Sequence, residues 1–567
     1  METAPLNSTP YLARPASSTL KPPRCPAMPL ALPLLLLLSV TAGAAASEVG
    51  ALLAFKRALT VPPAAAGFFA TWDAAAATPC NFTGVTCDPA AGRVTAVSVR
   101  AQGVAAASVP FTDVCGALPW LEKLSLPENR LAGGIHGVRA CVGLRDLTLA
   151  FNGFSGAVPD LSPLTKLRSF NISYNSFNGF LPDLSPLTKL RRLDISMNRF
   201  SGALPDLSPL TKLRWLDISD NSFSGAFPWG ALAAMPDLAV LAVADNPCLA
   251  RTSSFPDEVT KLINLTVLYL SAANIGGVIP PGIGNLVNLV LLDLTNNSLT
   301  GNIPPEISKL TKLYQLELYN NSLHGELPEG FSRLTKLQFL DASMNELTGS
   351  LSELRTLTQL RSLQLYENFF SGEVPPEFGE FKELVNISLY NNNLTGELPR
   401  SLGSWAQFIF IDVSTNSLSG PIPPDMCKQG TMYGLYMLDN NFSGEIPATY
   451  ARCKSLREFR VGKNSMSGDV PVGLWSLNNI MTIDLEDNQF TGCISDGIGN
   501  AMSLVYLTLA RNQFSGVIPP SIGNATNLWI IDISSNEISG KIPESIGRLT
   551  GLERLYLAGN KISGVIP

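Results

Sequence analysis

Leu313-Tyr-Gln-Leu-Glu-Leu-Tyr-Asn-Asn-Ser-Leu-His-Gly-Glu-Leu-Pro328 is one copy of a unit that recurs along most of this chain. Leu316 and Leu318 alternate with period two, so both face a core while Glu317 faces out. Asn321 stands where the chain leaves that strand, and a buried amide there can pair backbone groups that the turn would otherwise orphan. Gly325 and Pro328 then punctuate the return. The Asn slot recurs at Asn129, Asn152, Asn175, Asn198, Asn221, Asn246, Asn297, Asn321, Asn345, Asn368, Asn392 and Asn416, and on through Asn440, Asn464, Asn488, Asn512, Asn536 and Asn560. Most steps are 23 or 24 residues, with one long interval before Asn297. Degenerate copies at Gln102 and Ala273 bring the array to about 20 units. No unit can bury its own leucine face, but stacked units share one core and touch only their neighbours. The pattern predicts an α/β-type repeat solenoid with a concave parallel β-sheet, a long surface suited to binding.

The 567 residues are 46% hydrophobic and 15% charged, consistent with a folded chain whose core grows in one dimension. A net charge of −6 without any basic run argues against nucleic acid or an anionic membrane as partner. Residues 1–46 read as a leader and signal peptide. Arg14, Lys21 and Arg24 precede an apolar run, Leu34 to Leu38, and small residues end at Ala44-Ala45-Ala46. Met28 is an alternative start. No later run approaches about 18 apolar residues, so no membrane span is expected.

Export permits disulfides. Cys115/Cys141 and Cys427/Cys453 share a separation of 26, which lets each pair meet across adjacent coils. Cys248 and Cys493 read as free buried thiols. His136 and His324 read as solvated loop residues, and no metal or cofactor is expected. Nine sequons follow the signal, at Asn81, Asn171, Asn264, Asn296, Asn320, Asn386, Asn393, Asn441 and Asn524. Of these, Asn386 flanks a strand on the concave side. PDLSPLTKLR occurs from Pro159, Pro182 and Pro205, and its cations read as a solvated stripe left by duplication. Pro247 to Asp257 breaks the period and reads as a loop. Neither a Ser/His/Asp set nor a phosphate loop is present, so no enzymatic role is expected.

The motif LxGxIP resembles the extracellular plant variant of the leucine-rich repeat, which implies a second short strand after the Asn and a superhelical twist. TPCNFTGVTCD, just after Trp72, looks like the paired-cysteine cap of plant receptor ectodomains. That resemblance implies a cap over residues 47–92, bridged by Cys80 and Cys87, and repeats over 93–567. FPDEVTKLINLTVLYLSAANIGGVIPPGIGNL (255–286) and GPIPPDMCKQGTM (420–432) resemble plant leucine-rich-repeat receptor-like kinases of the HAIKU type. The family implies a secreted peptide ligand on the concave sheet, a SERK-type co-receptor kinase as partner, and the extracellular face of the plasma membrane or secretion as location. Its members continue into a C-terminal cap, a membrane helix and a Ser/Thr kinase. Here the repeats stop at Ile566-Pro567, without kinase HRD or DFG motifs. A secreted kinase-less decoy and an inhibitor of cell-wall-degrading hydrolases are the alternative readings.

The family commonly clamps a peptide carboxylate with Arg-x-Arg on one strand, a task for which forked, permanently charged guanidinium groups are suited. The matching strand reads Arg457-Glu458-Phe459-Arg460-Val461. Arg460 takes the outward place, while Glu458 replaces the first arginine and Arg457 is shifted by one position, so the clamp is weakened or altered: Glu458 would repel a carboxylate unless Arg457 neutralises it. Asp194, Asp217, Asp293, Asp341, Asp412, Asp484 and Asp532 share the outward slot that Arg460 interrupts, and they read as a solvated face. Tyr319, Tyr366 and Tyr390 share the slot after the strand, and Phe410, Tyr433 and Tyr436 lie one or two coils before Arg460. Aromatics on such a face mark a contact surface. The candidate ligand-binding set is Tyr366, Tyr390, Phe410, Asp412, Tyr433, Tyr436, Arg457 and Arg460.

Overall fold

The structure is a computed structural model that describes residues 47–567, so the expected leader and signal peptide lie outside the described residues. An N-terminal helix, α1 (Glu48–Arg57), starts where the Ser47 hydroxyl accepts the Gly50 N–H at 3.1 Å. Lys56 donates to the carbonyls of Phe69 and Trp72, both at 3.0 Å, and Trp72 stacks on Phe82 at 5.4 Å. These rings are buried and cover the open end of the first coil. Cys80 and Cys87 are bridged beside them, with Cα atoms 5.5 Å apart.

One sheet of 21 strands runs through the repeats. Its first strand, Val85–Cys87, pairs antiparallel with Val94–Ser98, and all the strands that follow are parallel. The register is one residue per coil. Leu292, Leu316, Leu340, Leu363, Ile387, Ile411, Leu435, Phe459 and Ile483 are successive neighbours, all buried. A second set of short strands follows the Asn turn, as the repeat variant implied. It forms separate ladders of six, four, six and two strands. No helix among the described residues is long and apolar enough to cross a membrane.

Each Asn of the repeat ties two coils together. The Asn321 Nδ2 donates to the carbonyls of Leu294 and Leu318 at 3.0 Å, while its Oδ1 accepts the Leu299 N–H at 3.0 Å. Asn345 repeats the arrangement one coil on. The residue before the Asn is left-handed, from Glu128 (φ 59°) to Ser535 (φ 53°), although few of these are Gly or Asn. The amide ladder holds the chain in a conformation that costs most side chains about 1–2 kcal/mol. The degenerate copy Ala273 supplies no such amide; the neighbouring Asn274 instead secures the long coil before it, donating to the carbonyls of Pro247 and Leu249.

Phe154, Phe177, Phe200 and Phe223 follow that turn in four consecutive coils. They stack at 6.2, 6.3 and 6.0 Å with their rings within about 11° of parallel. All four are fully buried. Phe200→Ala would leave a hole between two rings that backbone rungs hold in place. A loss of about 3–5 kcal/mol is expected on chemical denaturation.

Two further disulfides span adjacent coils as the spacing allows, Cys115–Cys141 at a Cα distance of 4.7 Å and Cys427–Cys453 at 5.9 Å. The reading of two free buried thiols is corrected. Cys493 is free but exposed, on the rim after the second strand, and Cys248 is not free. The segment Pro247 to Asp257 does leave the helix and strand pattern, but it does not swing clear. Leu249 and Phe255 are buried, because a longer coil still has to cover the core beneath it. His136 opens a 3-10 turn and His324 lies within the second strand Ser322–Glu326, not in loops; both are exposed.

Candidate ligand-binding face

The long sheet presents files of side chains that cross its strands one coil at a time. The central outward file is fixed by register: Asp194, Asp217, Ala242, Tyr269, Asp293, Glu317, Asp341, Gln364, Ser388, Asp412, Tyr436, Arg460, Asp484, Thr508 and Asp532. Neighbouring strands are about 4.8 Å apart, so each side chain leans on the one before and after it.

That crowding overturns the reading of these acids as solvated. Asp194 and Asp293 are 5% and 7% exposed, and Glu317 is half-buried. Burial, with Asp341 beside it, pushes the Glu317 carboxyl up to about 8. Burial raises Asp293 to about 6 despite two hydrogen bonds from Thr295. Burial and the neighbouring Asp194 bring Asp217 to about 7. Asp341, Asp412 and Asp484 are raised by burial as well.

Arg460 sits on the strand Glu458–Arg460, held outward by the fully buried Phe459 between the two charges. Residues 458 and 460 share one face of the strand, and the charges pair: Arg460 Nε and Nη2 lie 3.0 and 2.9 Å from Glu458 Oε2. Glu458 is thus neutralised by Arg460 and not by Arg457. Arg457 instead lies over the Tyr433 ring at 5.3 Å, and Arg460 lies 5.5 Å from the Tyr436 ring. Phe410 packs against Tyr436 at 5.3 Å, and Asp412 is the register neighbour of Tyr436. Burial and Glu458 push the Tyr436 hydroxyl up to about 12, so it is a hydrogen-bond donor at any physiological pH.

Phe410, Asp412, Tyr433, Tyr436, Arg457 and Arg460 thus form one patch over three neighbouring strands. Tyr366 belongs elsewhere. It packs on Tyr319 at 6.2 Å, near Asp341, and its hydroxyl is raised by burial and by that carboxylate. Tyr390 lies between the two groups and has no ring contact. A further file was missed by the sequence reading, the slot just after the first apolar residue of each strand. Of its members only Tyr433 and Arg457 were singled out; Val290, Tyr314 and Ile409, 38–41% exposed like Tyr433, stand in line with them, with Gln338, Arg361 and Val385 between. Tyr314 packs on Phe339 at 5.3 Å beside a depression of about 310 Å³ lined by Val290, Lys312, Lys336, Gln338 and Gln359. Apolar residues recurring at a slot flanked by solvent were the available signal.

Seven sequon asparagines are exposed and away from the long sheet. Asn171 and Asn386 lie in its strands Ser169–Asn171 and Asn386–Ser388, only partly exposed. The Asn171 side chain also accepts both the backbone N–H and the hydroxyl of Ser173.

Residues 45–88 match the leucine-rich-repeat N-terminal domain, and residues 230–371, 383–405 and 502–562 match leucine-rich-repeat models. The crystal structure of the Arabidopsis receptor kinase HAESA, in complex with the peptide hormone IDA and the co-receptor SERK1, is 35% identical. The match covers 92% of this chain and 83% of that one, with a TM-score of 0.74. The PEPR1–AtPEP1 structure is 29% identical, covering 92% of this chain and 79% of that one, again with a TM-score of 0.74. Receptor-like protein kinase 7 of Arabidopsis thaliana is 44% identical over 207 residues, which is 36% of this chain and 16% of that protein.

Proposed function

Because the chain belongs to the leucine-rich-repeat family and is built like the ectodomains of plant receptor kinases, we propose that it recognises a short secreted peptide on the face of the long sheet. We place it with the HAIKU-type receptors, acting at the extracellular face of the plasma membrane with a SERK-type co-receptor kinase as its second partner. The observation that carries this reading is the patch around Arg460: a cation on a rigid strand, walled by Phe410, Tyr433 and Tyr436. An extended peptide laid along the file would meet aromatic walls first and the charge pair next, a combination typical of binding hot spots. Asn171 and Asn386 are the sequons that a glycan would use to obstruct that face, and we expect both to remain unmodified.

Glu458 sets the specificity. It already occupies two of the Arg460 donors, so a free peptide carboxylate would have to displace it and leave a partly buried acid unpaired. The ligand is therefore held through side chains and backbone and not through its C-terminal carboxylate. The test is a binding screen of synthetic peptides, IDA and AtPEP1 among them, against the wild-type chain. A peptide that binds is expected to bind equally well as its C-terminal amide. It is expected to lose about tenfold or more in affinity with the Tyr436→Ala, Arg460→Ala double variant. Unchanged affinity in that variant would refute the assignment of the patch.

A further inference from the structure

The same face changes character towards its N-terminal end. Residues 145–214 carry nine Lys and Arg against five Asp and Glu, in a chain whose net charge is −6. Arg145, Arg168, Arg191 and Arg214 occupy one slot in four consecutive coils, joined by backbone rungs of 2.7, 2.7 and 2.8 Å. Lys166, Lys189 and Lys212 form a second exposed row two residues earlier. Glu122 pairs with Arg145 at 2.9 Å and Asp237 with Arg214 at 3.5 Å, closing the two ends. Between them, Arg168, Arg191 and the three lysines have no ion-pair partner among the described residues. Nearby acids are otherwise engaged: Asp194 with Arg192, Asp146 with Lys123, and Asp160, Asp183 and Asp206 with the serines two residues on.

Like charges placed opposite each other on neighbouring strands repel, and nothing inside the fold relieves these. We propose that this stripe binds a linear acidic polysaccharide, a polyuronide with one carboxylate per sugar. Stiffness decides between polymers. A chain of pyranose rings loses less conformational freedom on a rigid stripe than a flexible acidic peptide does. The unpaired guanidinium groups suit it, since each forks onto both oxygens of a carboxylate. The stripe is separate from the Arg460 patch, so this inference stands whether or not a peptide binds there.

The full chain would be titrated with polygalacturonate in the presence of a chelator, with poly-glutamate of matched charge and a neutral galactan as comparisons. Saturable binding to polygalacturonate is expected, weakening as salt rises, with poly-glutamate weaker and the galactan inert. Lys189→Gln, Arg168→Gln and Arg191→Gln combined should reduce polygalacturonate affinity roughly tenfold. The thermal midpoint of that variant should be unchanged or higher, because the repulsion is relieved. Absence of polygalacturonate binding, equal affinity in the triple variant, or tighter binding to poly-glutamate would each overturn the proposal.

Discussion

Asn345→Leu is expected to cost the protein about 3 kcal/mol and to loosen the turns on both sides of its coil. The side chain is 7% exposed, and leucine matches its size, so packing alone predicts little change. Hydrogen bonding predicts otherwise. The Asn345 Oδ1 is the acceptor for the Leu323 N–H at 2.9 Å, and its Nδ2 serves the carbonyls of Leu318, Ala342 and Ser343 at 3.0, 3.2 and 3.1 Å. The carbonyls of Leu318 and Ala342 are shared with Asn321 and Asn368, so part of their loss is made good. The Leu323 N–H has no substitute. Because each coil touches only its neighbours, the damage is local, and the denaturation curve should broaden or split where the array is weakened. Hydrogen exchange reads this directly: the Leu323 amide should lose its protection in the variant while amides several coils away keep theirs. A variant with unaltered midpoint and protection would show that the ladder is not a source of stability.

The second large effect is a stability that rises on acidification. Asp217, Asp293 and Glu317 have folded-state values of about 7, 6 and 8, above the 3.8–4.5 of the unfolded chain. A raised folded value means that the folded state holds protons which the unfolded state gives up. Their contribution is therefore complete below about pH 4 and is lost as pH rises through about 6 to 8. The thermal midpoint should be higher at pH 5.5 than at pH 8. Removing a single buried, raised carboxyl of this kind is worth about 3 kcal/mol at the alkaline end. Glu317→Gln keeps the shape and an oxygen that accepts the Gln315 amide, now 2.9 Å from Glu317 Oε1, without the charge, so it should stabilise at pH 8 and flatten the profile. A wild-type profile that is flat between those pH values, or unchanged by Glu317→Gln, would contradict the burial argument.

The sequence disclosed the coil well, because its determinants are local. Leu316 and Leu318 alternate within one strand, the Asn slot recurs, and a separation of 26 suffices to bring Cys427 to Cys453. What it concealed depends on neighbouring coils. Strand alternation places Glu317 on the outer face, but only the register of Asp293 and Asp341 on either side shows how little water reaches it. The pairing of Glu458 with Arg460 was legible in principle, since residues two apart share a strand face. Arg457, the adjacent cation, turns away to Tyr433. Ala273 leaves its slot without an amide, and Asn274, one position later, ties down the longer coil at Pro247 and Leu249 instead.

The two ladders of each coil differ in continuity, yet together they have a mechanical consequence. The long sheet is unbroken, and where the second strands lapse, backbone bonds still cross the gap: Ala250 to Gly225, Phe369 to Leu347 and Ser371 to Gly349 at 2.8 Å, and Ser515 to Gly492 at 2.7 Å. Every coil is therefore tied to the next on both sides of the Asn turn, as a ladder is by two rails. The rungs of the long sheet keep one spacing along its contour, and the face acts as a ruler for whatever is laid along it.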